Sequence, residues 1–385
     1  MSEPIKKPRK TPESFNPKKP EIANMMNEAG NNIAQKTIVE IGSKDEQMSN
    51  FIDFNIKFCG FYETDFINCF AATYMYLEGK QGENDPYYYL LDTMCGHSSI
   101  RFPYDGGYFG QTEIQKLIGH TKKDENGNDY TVDFLFGFSG YGYRKLTDPD
   151  SFKAAVIASI NAGKPVIAKI KPGTFRYRVI TGYNRDDLLE PNYKDSNMRN
   201  SGEHTSYDVI KILYVISEKI QPRYTLKDGL KRIREVMEFN IKDKPWDGYI
   251  EKLGPIPSEH KADAVLDVTK EERQSRMKRL FHTMWPSMNS HSFAMAFRQS
   301  ELHHPALNEL WKQIIDIYEE TQDLYWCLIF LYERADWDHP AFDRWQIGTM
   351  VKLTLEKAQK NDEMVLDIIK QAIAILEKKE SENVG

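Results

Sequence analysis

The chain changes its periodicity once, near Lys219, and that change limits the folds open to it. From about Asn50 to Lys219, helix-like and strand-like runs are mixed; beyond Lys219 the strand-like runs stop and apolar residues recur only at helical spacing. Three runs with strand character follow one another: PVIAKI (Pro165 to Ile170), RYRVITGY (Arg176 to Tyr183) and YDVIKILYVI (Tyr207 to Ile216). Pro172 with Gly173, and then Asn184 to Asp187, supply turn residues between them. This order predicts an antiparallel sheet with helices packed against it.

The helices are readable from their stops. Phe66 to about Gly79 places Phe66, Ile67, Phe70, Ala71, Tyr74 and Leu77 at helical spacing, with Asp65 or Asn68 as cap and Gly79 as terminator. A second short helix is expected through Tyr87 to Met94. A third, SFKAAVIASINAG, starts behind Asp148 to Asp150 and is closed by Gly163. After Lys219 the expected helices are Leu226 to Phe239, Glu259 to Phe281, Ala306 to Glu320, Leu324 to Arg334 and Ile347 to Lys378.

The fold class is therefore α+β. At 385 residues two domains are expected. Residues 1–48, rich in Pro, Lys, Glu and Asn, read as a flexible lead-in; 49–220 form the mixed domain, and 221–385 an all-helical C-terminal domain.

Composition narrows the function classes. A net charge of −6 argues against nucleic acid as a partner, because that affinity comes mostly from basic residues facing phosphates. The one basic block, KKPRK at Lys6 to Lys10, reads as a solvated tail. The longest apolar run, YWCLIFLY at Tyr325 to Tyr332, is far short of the roughly 18 residues that span a bilayer. The first thirty residues hold no apolar signal region, so a cytoplasmic protein is expected. Cys59, Cys69, Cys95 and Cys327 form no CxxC pair and read as thiols.

Motifs for metals and nucleotides are equally sparse. No HExxH, phosphate loop or GxGxxG occurs, so neither a metal nor a cofactor is expected. DENGND (Asp124 to Asp129) has calcium-loop composition without the downstream glutamate. ERADWDHPAFDRW (Glu333 to Trp345) gathers acids around His339 and reads as an interhelical loop packed through Trp337 and Trp345, or as a metal site.

The residue with most chemical promise is Cys69, in NCFAATYMYL. It sits in the first turn of a helix, where unpaired N–H groups and the helix dipole favour a thiolate; a small buried packing residue suits the same position. Its neighbours in sequence order are a helix ending in GKPVIAKI, a strand ending in ITGYN, and then LLEPN. This ordered set resembles the papain-like fold of bacteriocin-processing cysteine peptidases and of butirosin biosynthesis protein H acyltransferases. The matching residues are Cys69 with Ala71 and Ala72, Gly163 to Ile167, Gly182 with Tyr183, and Glu190 with Pro191. The resemblance covers roughly Asp53 to Ser217, and the helical region that follows favours the acyltransferase branch.

The resemblance implies a cysteine nucleophile at Cys69, a family histidine at the position of Arg176, and an acidic or amide residue at Glu190. Arg176 stays protonated and is no general base. Glu63 stands where papain-like enzymes often carry an oxyanion-supporting glutamine, and a carboxylate repels an oxyanion. Arg178 lies on the same strand face as Arg176. The loop SIRFPYDGGYFG, with Asp105 and Tyr108 around its glycine pair, borders the cleft opposite Cys69 or is a plain turn.

Three readings follow. Cys69, held as thiolate by the helix terminus and Arg176, accepts an acyl group from an acyl carrier protein or other thioester donor and passes it to an amine, with His97 or His204 as proton acceptor. Alternatively the fold has lost its chemistry and binds a peptide, a carrier protein or a small molecule through Arg176, Arg178, Glu63, Asp105 and Tyr108; these arginines otherwise pair with Glu63, Glu190 or Asp186 as a structural network. The third reading is a cysteine peptidase or amidase with a rearranged base.

Overall fold

The computed structural model describes residues 49–56, 66–80, 87–100, 130–171, 177–192, 198–243, 271, 289–334 and 345–383. Two short strands, β1 (Ser49–Phe51) and β2 (Asn55–Ile56), lead into helix α1 (Phe66–Leu77). Residues Phe66 to Thr73 are all buried, so α1 is a central helix covered on every side. It stops at Gly79, whose φ of 70° is open to glycine at little cost. There Lys80 N–H donates to the Met75 carbonyl (2.8 Å) and Gly79 N–H to that of Tyr76 (3.1 Å), which satisfies the last turn.

Helix α2 (Tyr87–Met94) packs on α1, with the Tyr74 and Tyr87 rings 5.4 Å apart. Helix α3 (Tyr130–Ser139) and strand β3 (Tyr141–Leu146) come next, neither of them expected from sequence. Helix α4 (Phe152–Asn161) follows a turn in which Asp148 accepts from the Asp150 N–H at 3.2 Å. It closes at Gly163 by the same pair of hydrogen bonds that ends α1.

Strands β4 (Val166–Ile170), β5 (Tyr177–Ile180), β6 (Gly182–Asn184), β7 (Asp187–Asn192), β8 (Met198–Ser206) and β9 (Ile210–Lys219) complete two antiparallel sheets. One has the order β3-β9-β4-β5 and the other β1-β6-β7-β8-β2. The first is covered on both faces: consecutive residues Val166, Ile167 and Ala168, and Val179 and Ile180, are all fully buried. That covering, with α1 packed on β4 and β5 and α4 on β4 and β9, explains why these strands read as unbroken apolar runs.

The run RYRVITGY, expected as one strand, is divided between the sheets. After β5 the chain bends at Thr181, whose N–H donates to the Leu189 carbonyl (2.9 Å) while its own carbonyl accepts from Ile52 (2.9 Å). Gly182 then enters the second sheet so tightly that a Cβ there would lie 2.8 Å from the Asn50 carbonyl oxygen and 2.8 Å from Phe51 Cβ.

Among the described residues that follow, the long elements are helices: α5 (Leu226–Asp243), α6 (Asn289–Phe297), α7 (Asn308–Arg334) and α8 (Trp345–Asn383). Helix α5 buries Leu230, Ile233, Val236 and Met237, the stripe that a 3.6-residue repeat dictates. It packs on α8 and α2, while α6 packs on α2 and α7. Through α2 the helical part shares one contiguous core with the sheets, and Gln47–Gly385 is one compact unit. The expectations for 1–48 and, apart from Glu271, for a helix over Glu259 to Phe281 lie outside the described residues. Among the described residues no helix is long and apolar enough to cross a membrane.

The C-terminal end of α1 is tied down by charge. Glu78 accepts from the Tyr141 hydroxyl at 2.6 Å and from Lys219 Nζ at 2.7 Å, linking α1 to β3 and β9. Burial pushes the Glu78 carboxyl up, but those two hydrogen bonds and the Lys219 and Lys80 charges outweigh it and bring it below its ordinary 4.5. A depressed carboxylate contributes stability that is complete above its unfolded value and is lost as pH falls through the folded one. Glu78→Gln is therefore expected to be less stable than the wild type near neutrality and to lose less on acidification, read from urea midpoints across the carboxylate range.

Candidate functional site around Cys69

Cys69 is a fully buried thiol in the first turn of α1. Three residues earlier, at the start of the helix, Phe66 meets Tyr177 and Tyr214 edge-on, both at 5.3 Å between ring centroids, and this fixes the N-terminal end of α1 on β5 and β9. The first turn of α1 contains no acidic residue to offset the positive end of the helix dipole. Tyr76, two turns after Cys69, stacks on Phe54 at 5.4 Å, so Cys69 shares the helix face that looks toward Phe54. Tyr74 occupies the side facing α2.

On β5, Tyr177 faces α1, so alternation turns Arg178 to the opposite side of the strand. There Arg178 Nε lies 2.9 Å from Glu190 Oε2 on β7, and Arg178 Nη1 donates to the Tyr177 carbonyl at 2.9 Å. The side chains are 23 % and 7 % exposed, so this is a largely desolvated ion pair across the seam between the two sheets. Of the pairings considered for Arg178, the one with Glu190 is present. Asp186 instead holds Lys153 at 2.8 Å on the surface. Four of the expected site residues, Glu63, Asp105, Tyr108 and Arg176, lie outside the described residues.

The two histidines weighed as proton acceptors occupy different surroundings. His97 Nδ1 is 2.6 Å from Asp92 Oδ1 in a buried pair, on a 3-10 turn that packs against α5 and α6. His204 lies on β8, opposite Leu189 of β7. The Asp92–His97 pair had no signal in sequence beyond five-residue spacing at the end of an aromatic helix. Tyr183, matched with Gly182 in the family pattern, donates from its hydroxyl to Asn161 Oδ1 at 3.0 Å and thereby fastens β6 to α4.

Among the described residues no three His, Cys, Asp or Glu side chains gather as a metal site would require. No protein-family model matches the chain, and no curated protein or solved structure matches it.

Proposed function

We propose that residues 49–220 are a papain-like domain of the butirosin-type acyltransferase kind, followed by a helical domain over 221–385, and that Cys69 carries an acyl group from a thioester to an amine. The observation that carries this reading is the seating of α1: the helix start bearing Cys69 is clamped on β5 and β9 by Phe66, with no acid in its first turn. In the reaction, Cys69 Sγ attacks the thioester carbonyl, the donor C–S bond breaks, and the donor leaves as thiolate. The amine then attacks the acyl-cysteine, loses its proton to a base, and regenerates the Cys69 thiolate.

A second reading, a papain-like fold that binds its ligand without chemistry, is favoured by the complete burial of Cys69 and by the engagement of Glu190 with Arg178. Intact-protein mass spectrometry after mixing with short-chain acyl thioesters separates the two. Under the first reading the wild type gains the acyl mass and Cys69→Ala does not. An unmodified wild type across acyl chain lengths, or an adduct that survives in Cys69→Ala, removes Cys69 as carrier and leaves the binding reading.

A further inference from the structure

Away from Cys69, the stretch GFSGYG places three glycines, Gly137, Gly140 and Gly142, at the junction of α3 and β3. A glycine inside a helix weakens it, so Gly137 needs a packing reason. A Cβ there would stand 2.6 Å from the Tyr224 ring and 3.2 Å from Arg223 Nη2. Its absence lets both side chains lie directly on α3.

Arg223 is held in place by what surrounds it. Its N–H donates to the Gly137 carbonyl at 2.8 Å, and its Nη2 donates to Oδ1 of the buried Asp133 at 2.7 Å. Tyr224, whose ring lies 5.6 Å from the guanidinium and 5.0 Å from Phe134, donates to the other Asp133 oxygen at 2.9 Å. Asp133 is thus satisfied and neutralised, while Arg223 Nε and Nη1 make no hydrogen bond among the described residues and the side chain is 47 % exposed.

Arg223 opens onto a groove of about 410 Å³ that is also lined by Asp133, Tyr141, Tyr143, Lys145 and Ile220. Tyr141, Tyr143 and Lys145 alternate along β3 and so share the face that borders the groove. Tyr143 is itself fixed by stacking on Phe136 at 4.3 Å. The lining includes two cationic side chains, Arg223 and Lys145.

We propose that this groove binds a small molecule bearing a carboxylate or phosphate group, held by N–H groups of Arg223 not used by Asp133 and by Lys145, with its apolar part against Tyr143 and Ile220. A guanidinium whose orientation is set in advance by Asp133 loses little freedom on donating to an oxyanion, and the groove has the size of a small-ligand site. Cys69 is not among the residues that line the groove, and the proposal does not depend on acyl transfer.

Calorimetric titration of the full chain with phenyl phosphate and with benzoate tests it, and tells the two oxyanions apart. At least one is expected to bind saturably, about tenfold or more weaker to Arg223→Gln, and unchanged to Cys69→Ala. If Arg223→Gln does not fold, as judged by circular dichroism, Lys145→Gln on the strand surface takes its place and is expected to weaken binding in the same direction. Absence of saturable binding to the wild type, or wild-type affinity in the folded variant, overturns the proposal.

Discussion

Glu190→Ala is expected to cost about 2 to 3 kcal/mol of folding stability, because it leaves the Arg178 guanidinium in the seam between the sheets without its carboxylate. That figure is set below the roughly 3 to 5 kcal/mol that breaking a fully buried pair costs, since the Arg178 side chain keeps 23 % of its surface in water. Urea unfolding gives the value directly. The companion variant matters as much: Arg178→Met with Glu190→Leu replaces both charges by apolar groups of similar volume and is expected to recover most of the loss. A Glu190→Ala protein that unfolds at the wild-type midpoint would show the pair to be energetically idle, and Glu190 would then be free for a chemical role. Formation of a Cys69 adduct in folded Glu190→Ala would separate that role from acylation.

The second large effect is expected at Gly182. An alanine methyl there meets a backbone carbonyl oxygen and Phe51 Cβ at 2.8 Å and Leu189 Cδ1 at 3.0 Å, and two of these atoms cannot swing away as a flexible side-chain end would. Gly182→Ala is expected to cost about 1 to 3 kcal/mol, and Gly182→Val more, by forcing β1 from β6. Amide exchange locates the damage: protection should fall first at Asn50 and Phe51, which pair with Tyr183 and Gly182. Faster exchange in α1 with β1 unaffected would contradict this account.

The elements that sequence made legible share a physical reason. Helices α1 and α4 each carry a periodic apolar run ended by a glycine, and β4, β5 and β9 are apolar runs because their sheet is covered on both faces. The α+β class follows from them. The second sheet was not legible: β7 contains Pro191 and β8, MRNSGEHTS, is polar and does not alternate, so their strand form comes from pairing with each other. Helix α3, YTVDFLFGFS, is apolar nearly all round and interrupted by Gly137, which matches neither period. Helix α6, NSHSFAMAF, opens with polar residues, and Ser290 and Ser292 are nonetheless buried.

Helix α7 shows how a polar patch can mislead. Thr321, Gln322 and Asp323 divide the apolar pattern and read as a break between two helices, yet the chain runs helical from Asn308 to Arg334. Thr321 Oγ1 donates to the Ile317 carbonyl at 3.0 Å and accepts from Asn361 Nδ2 at 2.8 Å. Tyr318 donates to Asp362 at 2.9 Å one turn away. Thr321 is a contact with α8 and Gln322, 2.9 Å from His291 Nδ1, a contact with α6, and only the neighbouring helices reveal that. At the site, Cys69 at a helix start and the pairing of Arg178 with Glu190 were both within reach of sequence, whereas the separation of Arg178 from α1 by the alternation of β5 needed the Phe66 and Tyr177 contact to be seen.

The bend at Thr181 has a kinetic consequence. β1 at Ser49 pairs with Asn184 and Phe51 with Gly182, so the strand that precedes α1 finds its partner only after well over a hundred further residues have been synthesised. Contacts so distant along the chain close slowly, because loop entropy is lost before pairing returns anything. On a ribosome the N-terminal strand must wait for β6 and β7, and because β5 and β6 are joined by a single residue, the two sheets are bound to mature together rather than one after the other.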